Sequence, residues 1–136
     1  MNRSIKTTLK IALVILAFTF TTNVLAQVSI TCQAREYCNW NSDDKKFEDC
    51  SGHEESSLFV FNENRTLFTH TTETMSSTYY IQDVELDKEN DLYLYKVISD
   101  VGNKYLYVID VKNLEIRALP LNGDLKLIRF YIKATF

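Results

Sequence analysis

The sequence has 136 residues, a formal net charge of −3 and 46% hydrophobic residues. This is the length of one domain, and it leaves no room for a nucleotide-binding domain beside a substrate domain. The lack of a basic surplus argues against a nucleic-acid partner, because binding to phosphates needs clustered Lys and Arg.

The N-terminal segment, residues 1–26, is typical of a secretory signal peptide. It has three basic residues and no acidic one, an apolar run over 11–20, and small residues up to Ala26. We predict cleavage after Ala26 and export to the periplasm or out of the cell. The mature domain, 27–136, would then carry a net charge of −6, because all three charges of the leader are basic. A run of about ten residues is too short to anchor the chain in a membrane, and no second run suggests a span in the mature chain.

The mature chain is predicted to form short strands, because its segments are rich in β-branched and aromatic residues and the links between them contain Asn, Asp and Gly. In chain order we predict Val28–Ala34 and Tyr37–Trp40 (one strand or two), Lys46–Cys50, Ser57–Asn62, Thr66–Thr71, Thr78–Leu86, Leu92–Ser99, Lys104–Asp110, Leu114–Leu119 and Leu125–Thr135. Gly102-Asn103 and Asn122-Gly123 are signals for two-residue hairpins. No segment shows a sustained helical period, so almost no helix is expected.

The links between these strands are of hairpin length, whereas parallel strands would need crossovers of about a dozen residues or more. A long antiparallel meander has to protect its two edges. We therefore predict an all-β domain in which a single antiparallel meander closes into a small barrel or half-barrel. A β-sandwich is the alternative.

The three cysteines, Cys32, Cys38 and Cys50, are an odd set for an exported chain, in which a disulfide is expected. Three pairings are possible. We favour Cys38–Cys50, because both flank a hairpin that would bring them opposite each other. Cys32 alternates with Val28 and Ile30, and we expect it to be a small buried apolar residue.

No metal, cofactor or catalytic site is predicted. His53 and His70, with Glu54, Glu55 and Glu73 nearby, supply metal-ligand types but no recognised ligand spacing.

Residue types of a catalytic triad are present in Ser56, Ser57, His70 and Asp83, but no Gly-x-Ser-x-Gly turn frames a serine. We therefore expect that the protein is not an enzyme.

The candidate binding residues are tyrosines on neighbouring predicted strands: Tyr79, Tyr93, Tyr95, Tyr105 and Tyr107. Several strands are apolar on both faces, and an outer face of exposed tyrosines would explain this, because Tyr tolerates a half-wet position. We predict a non-catalytic binding protein that uses this aromatic face or a barrel cavity. Its partner would be a protein, a glycan or a small apolar ligand. The alternatives are a structural protein of the cell envelope without a ligand, and a small hydrolase.

Overall fold

The computed structural model describes residues 26–123 and 125–136, so the predicted signal peptide, apart from Ala26, lies outside the described residues. Eight strands make up the described chain: β1 (Val28–Asn41), β2 (Lys46–Phe61), β3 (Leu67–Thr72), β4 (Ser76–Asp87), β5 (Leu92–Ser99), β6 (Lys104–Asp110), β7 (Glu115–Pro120) and β8 (Lys126–Thr135). Each strand is antiparallel to the next, and β8 pairs with β1, so the meander closes into a barrel. The all-β prediction and the barrel prediction are confirmed. The described residues contain no helix that is long and apolar enough to cross a membrane.

The strands number eight rather than nine or ten, because β1 is one strand, as one of the two alternatives had it, and because one predicted break lies inside β2. β1 continues through 35–36, and β2 continues through the polar segment 51–56. The pairing of β1 with β2 shifts register between Cys32 and Ala34 and again between Tyr37 and Asn39. Such bulges absorb an extra residue and bend a strand without ending it.

The hairpin turns share a local design that the sequence signals. Asn41, Asp87 and Asp110 each end a strand and accept a backbone N–H of the following turn through a side-chain oxygen. This side-chain cap replaces a backbone turn bond. The predicted two-residue hairpins at Gly102 and Gly123 are wrong, because the loops span 100–103 and 121–125. Both glycines nevertheless supply the positive φ of their loops, at 88° and 96°.

Aromatic rings fill the middle of the barrel. Phe59 is central, with its ring centroid 4.2 Å from that of His70, 5.1 Å from that of Phe130 and 6.1 Å from that of Phe68. The buried core comprises Ile30, Cys32, Phe59, Phe61, Phe68, Tyr79, Tyr95, Val97, Tyr107, Ile116, Ala118 and Phe130. Inward-facing side chains therefore form an aromatic core that separates the two ends of the barrel.

Cys38 and Cys50 form a disulfide bond between β1 and β2, as predicted. Cys32 is free and buried, and burial raises the pKa of its thiol to about 12. A thiol held in this protonated state is a poor nucleophile, which agrees with its expected role as a small apolar residue.

Candidate functional site

The five candidate tyrosines all lie on the inward-facing side of the sheet. Tyr79, Tyr95 and Tyr107 belong to the core, with exposures of 7%, 9% and 4%. Tyr105 packs against this core, and Tyr93 is 39% exposed at the end of the barrel. The predicted outer face of exposed tyrosines is therefore wrong, because the barrel interior takes up these rings to reach close packing.

Tyr93 and Tyr95 line an apolar pocket of about 340 Å³ at the end of the barrel where β1 begins and β8 ends. We call this pocket the tyrosine mouth. Its lining residues are Val28, Ile30, Phe61, Arg65, Tyr93, Tyr95, Ile109 and Thr135. The pocket stops at the aromatic core, since Phe61 and Tyr95 belong to both.

A larger groove, of about 550 Å³, crosses the outer side of β8, β1, β2 and β3. Thr31, Leu58 and Thr71 line it from outward-facing strand positions. We regard the tyrosine mouth as the better candidate, because apolar and aromatic side chains at strand ends surround it.

The β4–β5 hairpin extends the apolar surface of the tyrosine mouth beyond the barrel. Val84 pairs with Tyr95 and Leu86 pairs with Tyr93, so these side chains share the inward-facing side. Val84 is 47% exposed and Leu86 46%. Because the pairing of β3 with β4 starts at Leu67 and Tyr80, no described strand pairs with the other side of this part of β4. The barrel wall is therefore notched beside the tyrosine mouth.

Arg65 has the one charged side chain in the lining of the tyrosine mouth. Its Nη1 donates to the carbonyl oxygen of Asn62 at 2.6 Å, and its Nη2 donates to that of Ala26 at 3.0 Å. Burial raises the pKa of Tyr95, Tyr93 adds to the rise, and the nearby positive charge of Arg65 opposes it. The guanidinium thus acts on the lining of the pocket without a carboxylate partner among the described residues.

The opposite end of the barrel, which we call the polar end, carries paired charges. Arg35 Nη2 lies 2.6 Å from Glu55 Oε2, and His53 Nε2 lies 3.0 Å from the same carboxylate oxygen. The Arg35 guanidinium also lies 5.1 Å from the ring centroid of Tyr37. The hydrogen bond from His53, together with the charge of Arg35, lowers the pKa of Glu55.

His70 lies beneath this cluster with only 3% of its surface exposed, and its ring stacks on that of Phe59. Burial, with the charge of Arg35, lowers its pKa to about 4, although Glu55 opposes the shift. Neither His70 Nε2 nor Ser57 Oγ has a hydrogen-bond partner among the described residues. The two therefore do not form a hydrogen-bonded nucleophile and base, and Asp83 lies on exposed β4.

The predicted metal-ligand types are brought together only in part. His53 contacts the carboxylate of Glu55, but this carboxylate already forms an ion pair with Arg35. Within the described residues, the group of ligand atoms that converges is Glu36 with Cys38 and Cys50, and the disulfide uses both of these sulfurs.

Sequence reasoning missed Arg65, Val84 and Leu86 as parts of the site. Arg65 lies in the link between two predicted strands, and no sequence signal says that its side chain reaches the barrel end. Val84 and Leu86 alternate with acidic residues, as in any half-buried strand. Comparison with protein-family models, with curated proteins and with solved structures gives no match.

Proposed function

We propose that this protein is an exported, non-catalytic binding protein that holds a small apolar ligand in the tyrosine mouth. The observation that carries the proposal is the apolar pocket of about 340 Å³ lined by Tyr93, Tyr95 and Arg65. Ligand sites have this character, with volumes of about 300–1,000 Å³, mostly apolar walls and few polar groups.

The aromatic core limits the depth of binding. Phe61 and Phe68 lie with ring centroids 4.9 Å apart, and Phe68 and Tyr107 5.0 Å apart, so the rings fill the barrel below the pocket. A ligand therefore occupies the mouth and the inner face of the β4–β5 hairpin rather than the barrel centre. The burial of three candidate tyrosines favours a small ligand over a protein or glycan that would lie on a flat aromatic face.

Export is part of the proposal, and the disulfide supports it. Disulfides persist in oxidising compartments and are rare in the cytosol, so Cys38–Cys50 is compatible with the predicted signal peptide. The filled core favours the competing proposal of a structural envelope protein, which would bind no ligand.

The test uses a neutral apolar fluorescent probe, N-phenyl-1-naphthylamine, with the protein recovered from its export compartment. We expect Tyr93→Asp to weaken probe binding at least about tenfold, because it places a charge in an apolar pocket. Tyr80→Asp is the matched control, since Tyr80 is 46% exposed on the outward-facing side of β4. Equal affinity in both variants would exclude the tyrosine mouth, and no binding by the wild type would favour the structural role.

A further inference from the structure

We infer that the ligand of the tyrosine mouth is an anionic amphiphile, with one alkyl chain and a carboxylate-type group that Arg65 binds. The inference rests on the proposed function and deepens it. It follows from a difference between Arg65 and the other described arginines, from the charge of the mouth, and from the shape of its rim.

Arg65 alone among the described arginines has no carboxylate of a described residue within ion-pair distance. Arg35 pairs with Glu55 at 2.6 Å, Arg117 with Asp110 at 3.2 Å, and Arg129 with Glu115 at 2.7 Å and with Glu36 at 3.0 Å. The chain has a net negative charge, so a shortage of acidic residues does not explain why Arg65 lacks a carboxylate partner among the described residues. A half-buried guanidinium beside an apolar pocket is best satisfied by an anion.

The turn that carries Arg65 holds it in place. Asn62 Oδ1 accepts the backbone N–H groups of Thr66 and Leu67, at 2.9 and 3.2 Å. The Asn62 carbonyl oxygen accepts both the backbone N–H and Nη1 of Arg65. The guanidinium is thus fixed at the mouth before a ligand arrives, and a fixed donor loses little entropy on binding.

Signal-peptide cleavage would strengthen the positive charge of this site. Arg65 Nη2 donates to the carbonyl oxygen of Ala26, and the carbonyl carbon of Ala26 forms the peptide bond to the nitrogen of Gln27. Cleavage after Ala26, as predicted, removes that acceptor and leaves an α-ammonium group beside Arg65. With a pKa of about 8 for an ordinary α-amino group, the mature mouth would carry a second positive charge at neutral pH.

The rim explains why the ligand has a chain rather than a compact body. Val84 and Leu86 continue the apolar wall above Tyr93 and Tyr95, and the wall is notched beside them. A chain whose charged group lies at Arg65 can contact the pocket wall and still pass along this hairpin. Apolar surface exposed next to a pocket is a sign of such an extended contact.

The experiment compares three probes that share one alkyl chain: decanoate, decanol and decyltrimethylammonium. Calorimetry at neutral pH measures their affinities for the exported protein, whose N-terminus mass spectrometry establishes. We expect decanoate to bind about tenfold to a hundredfold more tightly than decanol, since a hydrogen bond to a charged group has that effect. Arg65→Met should abolish the difference between the affinities for decanoate and decanol, and Arg65→Lys should restore part of it.

Lys126→Met is the matched control, because it removes one exposed positive charge at the polar end. It should leave the preference for decanoate intact. The urea unfolding midpoint of Arg65→Met, compared with that of the wild type, establishes that this variant is folded.

The outcomes separate this inference from the proposed function. Equal binding of decanoate and decanol, or a preference for the cation, would overturn the anionic ligand but keep the apolar pocket. Binding of no probe would overturn the proposed function itself. If the protein binds no decanoate but floats with phosphatidylglycerol vesicles, the inference is overturned, and the site binds a membrane surface instead.

Discussion

Charged side chains are paired at one end of the barrel, whereas the arginine at the other end bonds to backbone groups. At the polar end, Arg35 Nη2 and His53 Nε2 both contact Glu55 Oε2, at 2.6 and 3.0 Å. At the tyrosine mouth, Arg65 bonds only to backbone carbonyl groups and faces apolar walls. A guanidinium that is already paired with a carboxylate has less to offer an anionic ligand than Arg65, which has no carboxylate partner among the described residues. Under the proposed function, the polar end contributes to stability and the tyrosine mouth holds the ligand.

The largest effect that we expect on this comparison comes from removing the disulfide. Cys38→Ser with Cys50→Ser should lower the free energy of unfolding by about 2–4 kcal/mol, because the bond closes a loop with a sequence separation of 12. Urea unfolding without reductant measures the loss. Replacing both cysteines leaves no new thiol to pair with Cys32.

Two controls locate this effect. Reductant should lower the stability of the wild type to that of the double variant. Affinity at the tyrosine mouth should stay the same under conditions where both proteins are folded, because the bond joins β1 and β2 beyond the core. A loss of affinity in the folded variant would contradict the division between the two ends.

The fold was largely predictable because its signals are local. Asn41, Asp87 and Asp110 cap their turns through short side-chain contacts that any sequence reading can anticipate. The length of β2 was not predictable, because a bulge lets the polar segment 51–56 stay in this strand when composition argues against a strand.

The site was less predictable than the fold, because β5 is apolar on both faces. Leu94 alternates with Tyr93 and Tyr95, so Leu94 lies on one face of β5 and the two tyrosines lie on the other. This alternation does not indicate which of the two faces points into the barrel. Closure of the barrel decides this, through the packing of rings from all the strands. The position of Arg65 depends on where the β2–β3 turn lies relative to β1 and β5, which is a tertiary property.

Acid should destabilise the protein through a buried histidine near the polar end. The folded state holds the pKa of His70 at about 4, below the ordinary value of 6.5. Between these pH values the unfolded chain binds more protons, so the free energy of unfolding should fall as the pH is lowered from about 6.5 to about 4. The full loss is on the order of 3 kcal/mol, and unfolding midpoints across this pH range measure it.

His70→Phe is the variant that sharpens this test. It keeps an aromatic ring against Phe59 and removes the group that titrates. The decline between about pH 6.5 and 4 should disappear. A further decline at lower pH should remain, because the pKa of Glu55 is also lowered and protonation of its carboxylate removes the attraction to Arg35. An unchanged profile in His70→Phe would mean that another group carries the acid sensitivity.

The smallest effect is expected at the rim of the tyrosine mouth, and it separates the pocket from its extension. Val84→Ser with Leu86→Ser should reduce the affinity for dodecanol about twofold to fivefold more than that for octanol, because only the longer chain reaches the β4–β5 hairpin. Stability should change little, since both side chains are about half exposed. Val101→Ser with Leu125→Ser makes a matched change at two exposed loop positions of the polar end, and it should affect neither alcohol. Equal losses for both alcohols in the first variant would confine the ligand to the pocket, and the exposed Val84 and Leu86 would then need a different partner.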